Sequence, residues 1–112
     1  MYKRLAFFEG HIKDGQDAAF DAYIAAHLLP LWRQFPGVTR VEILREVEAE
    51  DGSHRYPLVL QTTYPDREAI AMALASKVRF DSREMTKGLL ALFSGRVFHV
   101  VYHLDDHLIT PT

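Results

Sequence analysis

The sequence predicts an α+β domain of the ferredoxin-like, split βαβ kind, with one antiparallel sheet and helices on one of its faces. Three observations lead there. Period-2 apolar segments and period-3.6 apolar segments follow one another in the order β-α-β-β-α-(α)-β. The chain has 112 residues, enough for a single domain. Strands one and four are apolar on both sides, which a sheet lying open to water on one face would not tolerate.

The first strand is expected over residues 3–12, broken by Asp14-Gly15. Asp17 is suited to cap a helix whose apolar stripe is Phe20, Ile24, His27, Leu28, Leu31 and Phe35. Pro36-Gly37 stops it. A second strand is expected over 39–47. Asp51-Gly52 then marks a turn that returns a third strand over 56–64 as a hairpin. Pro57 is tolerable near that strand's start. Asp66 should cap a short helix over 67–75. Asp81 with Glu84 resembles a capping box for a further helix, carrying Met85, Leu89, Leu92 and Phe93 on one side and ending at Ser94-Gly95. The fourth strand is expected over 96–104. The domain thus spans 1–104, with a polar tail over 105–112.

In strand one, Leu5 and Phe7 oppose Ala6, Phe8 and Ile12; in strand four, Val97 and Val101 oppose Phe98, Val100 and Tyr102. The simplest cover for a second apolar face is the same sheet of another copy, closing a two-chain barrel by an isologous contact. The expected partner is therefore a second copy of this chain.

Composition removes several function classes. Net charge is −2 with no basic cluster, so neither nucleic acid nor an anionic membrane is an expected partner. Cysteine is absent, which removes disulfides, thiolate nucleophiles and thiolate metal sites. The apolar run Leu5–Phe8 is too short for a signal-peptide core, and no stretch approaches a membrane span, so the cytoplasm is the expected compartment. No Gly-X-Ser-X-Gly, Walker or dinucleotide glycine pattern occurs.

Three groups of residues carry candidate chemistry. Pro30 removes a helix N–H and crowds the carbonyl of Ala26, so the first long helix should bend beside His27 and open the mouth of a helix–sheet pocket. The plainer reading makes His27 a core histidine with one nitrogen bonded to a carbonyl. On the strands, Glu9 is expected to share a face with His99, the carboxylate orienting the imidazole as an acid–base pair. The plainer reading is an ion pair inside the dimer barrel. Tyr23, Trp32, Tyr64 and Tyr102 are candidates to line a site for a flat or apolar ligand, though most of the aromatic set is ordinary core. No metal is expected: His99 and His103 share a face but stand about 13 Å apart, from about 3.3 Å per strand residue. The acidic run Glu46, Glu48, Glu50 and Asp51 lacks EF-hand spacing and reads as a solvated loop.

The frame "FFEGHIKDGQDAAFDAYIAAHLLPLWRQFPGVTRVEIL", followed by "YPLVLQTTYPDREAIAMALASKVRFDSREMTKGLLALFSGRVFHVVYHL", resembles the EthD-like proteins of the dimeric α/β-barrel superfamily. The helix ending in Pro-Leu-Trp, the Phe-Pro-Gly-Val turn and the Leu-Ala-Ser-Lys-Val-Arg segment carry most of that resemblance. It implies a homodimer with a pocket between sheet and helices in each subunit. It also implies kinship with small monooxygenases lacking metal or flavin, haem-degrading enzymes and isomerases of aromatic catabolism. EthD-like sequences often carry His-X-Pro-Leu on the first helix. Here His27-Leu28-Leu29-Pro30-Leu31 has one residue more between His and Pro. Haem-degrading members, and the quinone-forming monooxygenases, use an asparagine; this chain has none, which argues against both. The resemblance implies a small cofactor-independent enzyme, monooxygenase- or isomerase-like, acting on an apolar or aromatic small molecule. The alternatives are a non-catalytic dimeric binding module and an accessory protein. Fold alone does not choose among them.

Overall fold

The computed structural model describes residues 1–111. The elements run β1 (Tyr2–Ile12), α1 (Asp17–Tyr23), a π-turn (Ile24–Leu28), α2 (Leu29–Trp32), β2 (Arg40–Arg45), β3 (Leu58–Tyr64), α3 (Arg67–Leu74), α4 (Lys77–Leu90) and β4 (Phe93–His103). The strands form one antiparallel sheet in the order β2-β3-β1-β4. This is the expected split βαβ plan. Residues 104–111 form no helix or strand, and the final position of the predicted tail lies outside the described residues. No helix among the described residues is long and apolar enough to cross a membrane.

Alternation sorts the sheet into two faces. Ala6, Phe8, Leu58 and Leu60 point to the helices and are buried with Phe20, Ile24, Leu28, Trp32, Ile70 and Leu89. On the other face Phe7 stacks on Phe98 with centroids 5.1 Å apart, and Tyr56 packs edge-on to Phe7. Lys3 bridges Glu42 and Gln61 at 2.8 and 2.9 Å on that same face.

The first long helix resolves the conflict raised by Pro30 in an unexpected way. Its buried residues, Phe20, Ile24, Leu28 and Trp32, recur every four positions. A regular helix would let that stripe drift around its axis. The π-turn absorbs the drift by adding a residue, and the Leu29 N–H bonds back to the Ile24 carbonyl. The helix therefore bulges ahead of Pro30 and does not open a gap. Two expectations are corrected as a result. Trp32, not Leu31, is the buried residue, and His27 faces solvent, its ring 4.8 Å from that of Tyr23.

The helices after β3 divide the predictions. Asp66 caps α3 as expected, its carboxylate accepting the Ala69 N–H at 2.8 Å. Gln16, not Asp17, is the N-cap of α1, and Asp17 occupies the first turn. Helix α4 starts at Lys77, where the Ser76 side chain accepts the Arg79 N–H. The Asp81/Glu84 pair is thus no capping box. Both lie within α4 and pair along it with Lys77 and Lys87 at 2.9 Å. Helix α4 ends at Leu90, so Leu92 follows it and the buried Phe93 opens β4. Ser94-Gly95 falls inside β4, not at a helix end.

The β1–β4 register places Gly10 opposite Gly95. Both have positive φ, +141° and +148°. A Cβ built on either would lie 2.0 Å from the backbone oxygen of Ser94 or Glu9. The two strands pass so closely here that only glycine fits.

Candidate functional site

A cleft of about 450 Å³ lies between the helix face of the sheet and α4. Its sheet wall is Arg4, Ala6 and Phe8 of β1, Leu60 of β3, and Val97 and His99 of β4. Trp32 and Phe35 close one side. Helix α4 supplies Arg79, Ser82, Arg83, Thr86, Lys87 and Leu90. These six recur at helical spacing, so one stripe of α4 faces the cleft while Leu89 enters the core beside it.

The register decides which predicted residues reach this cleft. Ala6 pairs with His99, and Glu9 with Arg96. Directly paired residues share a face. His99 therefore stands on the helix face with Arg4, Ala6 and Phe8, and Glu9 on the opposite face. The predicted Glu9–His99 pair is overturned by this register. Glu9 instead bonds Arg96 at 2.7 Å and Tyr56 at 3.2 Å, with His54 3.8 Å away. The Arg96 hydrogen bond, above all, holds its carboxyl below the ordinary range.

Among the other candidates only Trp32 lines the cleft. His27 lies outside it. The Tyr23 hydroxyl donates to the Met85 carbonyl at 2.8 Å, tying α1 to α4 across Gly88. Tyr64 is buried in the core and outside the cleft lining. Tyr102 is exposed on the far face of β4, paired with Lys3.

The cleft is cationic. Arg4, Arg79, Arg83 and Lys87 line it, with no carboxylate among its lining residues. Of these, Lys87 has an ion-pair partner, Glu84; among the described residues no carboxylate lies within 4.0 Å of the other three. The sequence reading does not single out Arg79, Arg83 or Lys87; of these only Arg79 precedes Asp81, where α4 is expected to begin. Their i, i+4, i+8 spacing was the available signal.

His99 is the only histidine in the cleft. Removal from bulk water by the cleft walls, then repulsion from Arg4 and Arg79, push its pKa down to about 4. The ring still meets solvent at the mouth, which tempers the desolvation; the two cations act in the same direction. The imidazole is accordingly neutral at pH 7. Burial and Arg79 likewise pull the Arg4 pKa down.

This has a measurable consequence. Between pH 6.5 and about 4 the unfolded chain takes a proton at this position that the folded chain refuses. Stability should fall with acid across that window, and the His99 penalty should be complete below it. Urea unfolding of His99→Gln at several pH values is expected to show a shallower slope there than the native protein. An unchanged slope would mean that His99 titrates normally.

No family model matches the chain. No curated protein matches it either. Solved structures do. An EthD family protein from Bacillus halodurans superposes with TM-score 0.72 at 22% identity, covering 94% of this chain and 99% of the other. A dimeric ferredoxin-like protein of unknown function from Jannaschia superposes with TM-score 0.64 at 21% identity, covering 92% and 98%. A cofactor-independent oxygenase from Streptomyces nogalater superposes with TM-score 0.63 at 21% identity, covering 96% and 95%. The sheet order, the one-sided helices and these superpositions together give the chain an EthD-like, ferredoxin-like fold.

Proposed function

We propose that this protein is a small enzyme without resident metal or flavin, acting in the sheet–α4 cleft on an aromatic or apolar molecule by proton transfer. The single observation behind this is the position of His99, an imidazole on the wall of a cleft that Trp32, Phe35 and Phe8 also line, with Arg4 and Arg79 beside it. A neutral imidazole accepts a proton from an acidic C–H or phenolic O–H of the substrate. Arg4 and Arg79 stabilise the enolate or phenolate left behind. Returning the proton to another atom of the substrate completes an isomerisation, with no net change of electrons. An oxygenase on the same plan would pass the anion's electrons to O2. The similarity in fold to a cofactor-independent oxygenase supports the class of reaction.

One feature favours the second reading, a binding module without catalysis. No carboxylate lines the cleft to orient the second His99 nitrogen, as catalytic histidines commonly have. A thermal-shift screen of aromatic and lactone metabolites identifies ligands, since binding to the folded state raises apparent stability. Turnover of the best ligand is then compared in His99→Gln. The enzyme reading expects a loss of about 100-fold or more, with ligand affinity little changed. Turnover unaffected by the substitution, or no turnover of any ligand that binds, contradicts it.

The same proposal includes a homodimer closed through the open sheet face. Phe7, Phe98 and Tyr56 form an aromatic patch there, and Leu44 is 46% exposed beside them. A ferredoxin-like protein of similar fold is described as dimeric. Light scattering should give the mass of two chains, and Phe98→Glu the mass of one. A native mass of one chain at micromolar concentration rejects this assembly.

A further inference from the structure

We propose that the ligand of the sheet–α4 cleft carries a carboxylate, held by Arg4 and Arg79 while its apolar body lies against Trp32. This rests on the cleft being the ligand site and names what the site selects. Of the nine arginines in the chain, only Arg4 and Arg79 are half-buried; every other one is exposed. Both line the cleft, and neither has a carboxylate partner among the described residues.

Two guanidiniums brought together away from water, with no counter-ion, oppose each other. Arg79 acts on Arg4 in this sense, adding to burial in lowering its pKa. Elsewhere most of the chain's cations are paired, among them Lys3 with Glu42, Arg45 with Asp21 and Arg96 with Glu9, and those without a partner are exposed. An anion entering the cleft removes the repulsion and satisfies donors that have no carboxylate partner. A guanidinium matches a planar carboxylate through two parallel N–H donors. Arg83, one turn along α4 and exposed, adds attraction at the mouth without desolvation. The remaining wall is aromatic and aliphatic, so a small inorganic anion would leave it uncovered. An aromatic acid covers both parts.

The test compares 2-naphthoate with the neutral 2-naphthylmethanol, each titrated calorimetrically into the native dimer or monomer as purified. The expected result is naphthoate binding at least tenfold tighter, with the preference weakened by salt. Arg79→Gln should abolish that preference by weakening naphthoate far more than naphthylmethanol, while Arg67→Gln, an exposed position of α3 outside the cleft, changes neither. Arg4→Gln, read against the same two probes, serves if Arg79→Gln does not fold. Equal binding of the two probes overturns carboxylate selection while leaving the cleft as a ligand site. A preference that survives Arg79→Gln and Arg4→Gln overturns it as well. Binding of neither probe rejects both the carboxylate and the apolar-ligand reading of the cleft.

Discussion

Gly95→Ala is expected to cost about 3 kcal/mol or more of folding stability, a large part of what a domain of this kind has. Two costs add. Positive φ at a non-glycine residue strains the backbone by about 1–3 kcal/mol. The new methyl would also stand 2.0 Å from the Glu9 carbonyl oxygen and 2.9 Å from Gly10 Cα, so β1 and β4 must separate. Gly10→Ala meets the mirror-image problem, 2.0 Å from the Ser94 oxygen. It would also disturb the Gly10 N–H bond to the Arg55 carbonyl, 3.0 Å, which anchors the β2–β3 hairpin to β1. Gly15→Ala is the control. Its φ is +75° but nothing lies within 4 Å, so about 1 kcal/mol is expected. Urea unfolding of the three variants should rank them in that order. A Gly95→Ala protein as stable as Gly15→Ala would mean that the strands do not approach this closely.

Trp32→Ala should cost about 3–5 kcal/mol, as large aromatic truncations in cores do. Trp32 is 3% exposed, and it joins the packed stripe of the first long helix to the floor of the cleft. The loss therefore acts on both stability and binding. Trp32→Phe separates them. It keeps an aromatic floor, so it should retain most of the stability and the ligand affinity. Chemical denaturation measures the first; calorimetric titration measures the second. Retained full stability in Trp32→Ala would contradict the packing described for this residue. As the only tryptophan in the chain, it also reports cleft occupancy directly by fluorescence.

Much of the architecture is legible in the sequence, and what is not has identifiable physical causes. Alternation along β1 and β3 and the Asp66 cap read correctly because each is local chemistry. In the apolar stripe of the first long helix Phe20, Ile24, Leu28 and Phe35 are buried as expected, whereas His27 is exposed and Trp32 takes the place of Leu31. The π-turn over Ile24–Leu28 adds a residue to the helix, which a period of 3.6 cannot anticipate. The α4 start was missed because Asp81 and Glu84 imitate a capping box, while Ser76, the true cap, precedes a charged run. That error left Arg79 off the expected helix, and with it the first turn of the cationic wall of the cleft. Glu9 and His99 were expected on one face because parity along each strand says nothing about register between strands. The register is consistent with a single pair of facing glycines, Gly10 and Gly95, and a cross-strand close approach is invisible in either strand alone. Trp32 was named for its aromatic type, and His99 for a strand face expected to meet Glu9, an alignment the register does not make. Arg4 was not, because an arginine near the start of a strand gives no sign of which face it takes.

The account turns on where a ligand sits, and nuclear magnetic resonance mapping with 2-naphthoate addresses that most directly. Saturable shifts are expected at the Trp32 indole N–H, the His99 ring and the α4 amides from Arg79 to Lys87, with His27 and Glu9 unmoved. Shifts confined to the open sheet face around Phe7 and Phe98, or centred on His27, would contradict the cleft as the site.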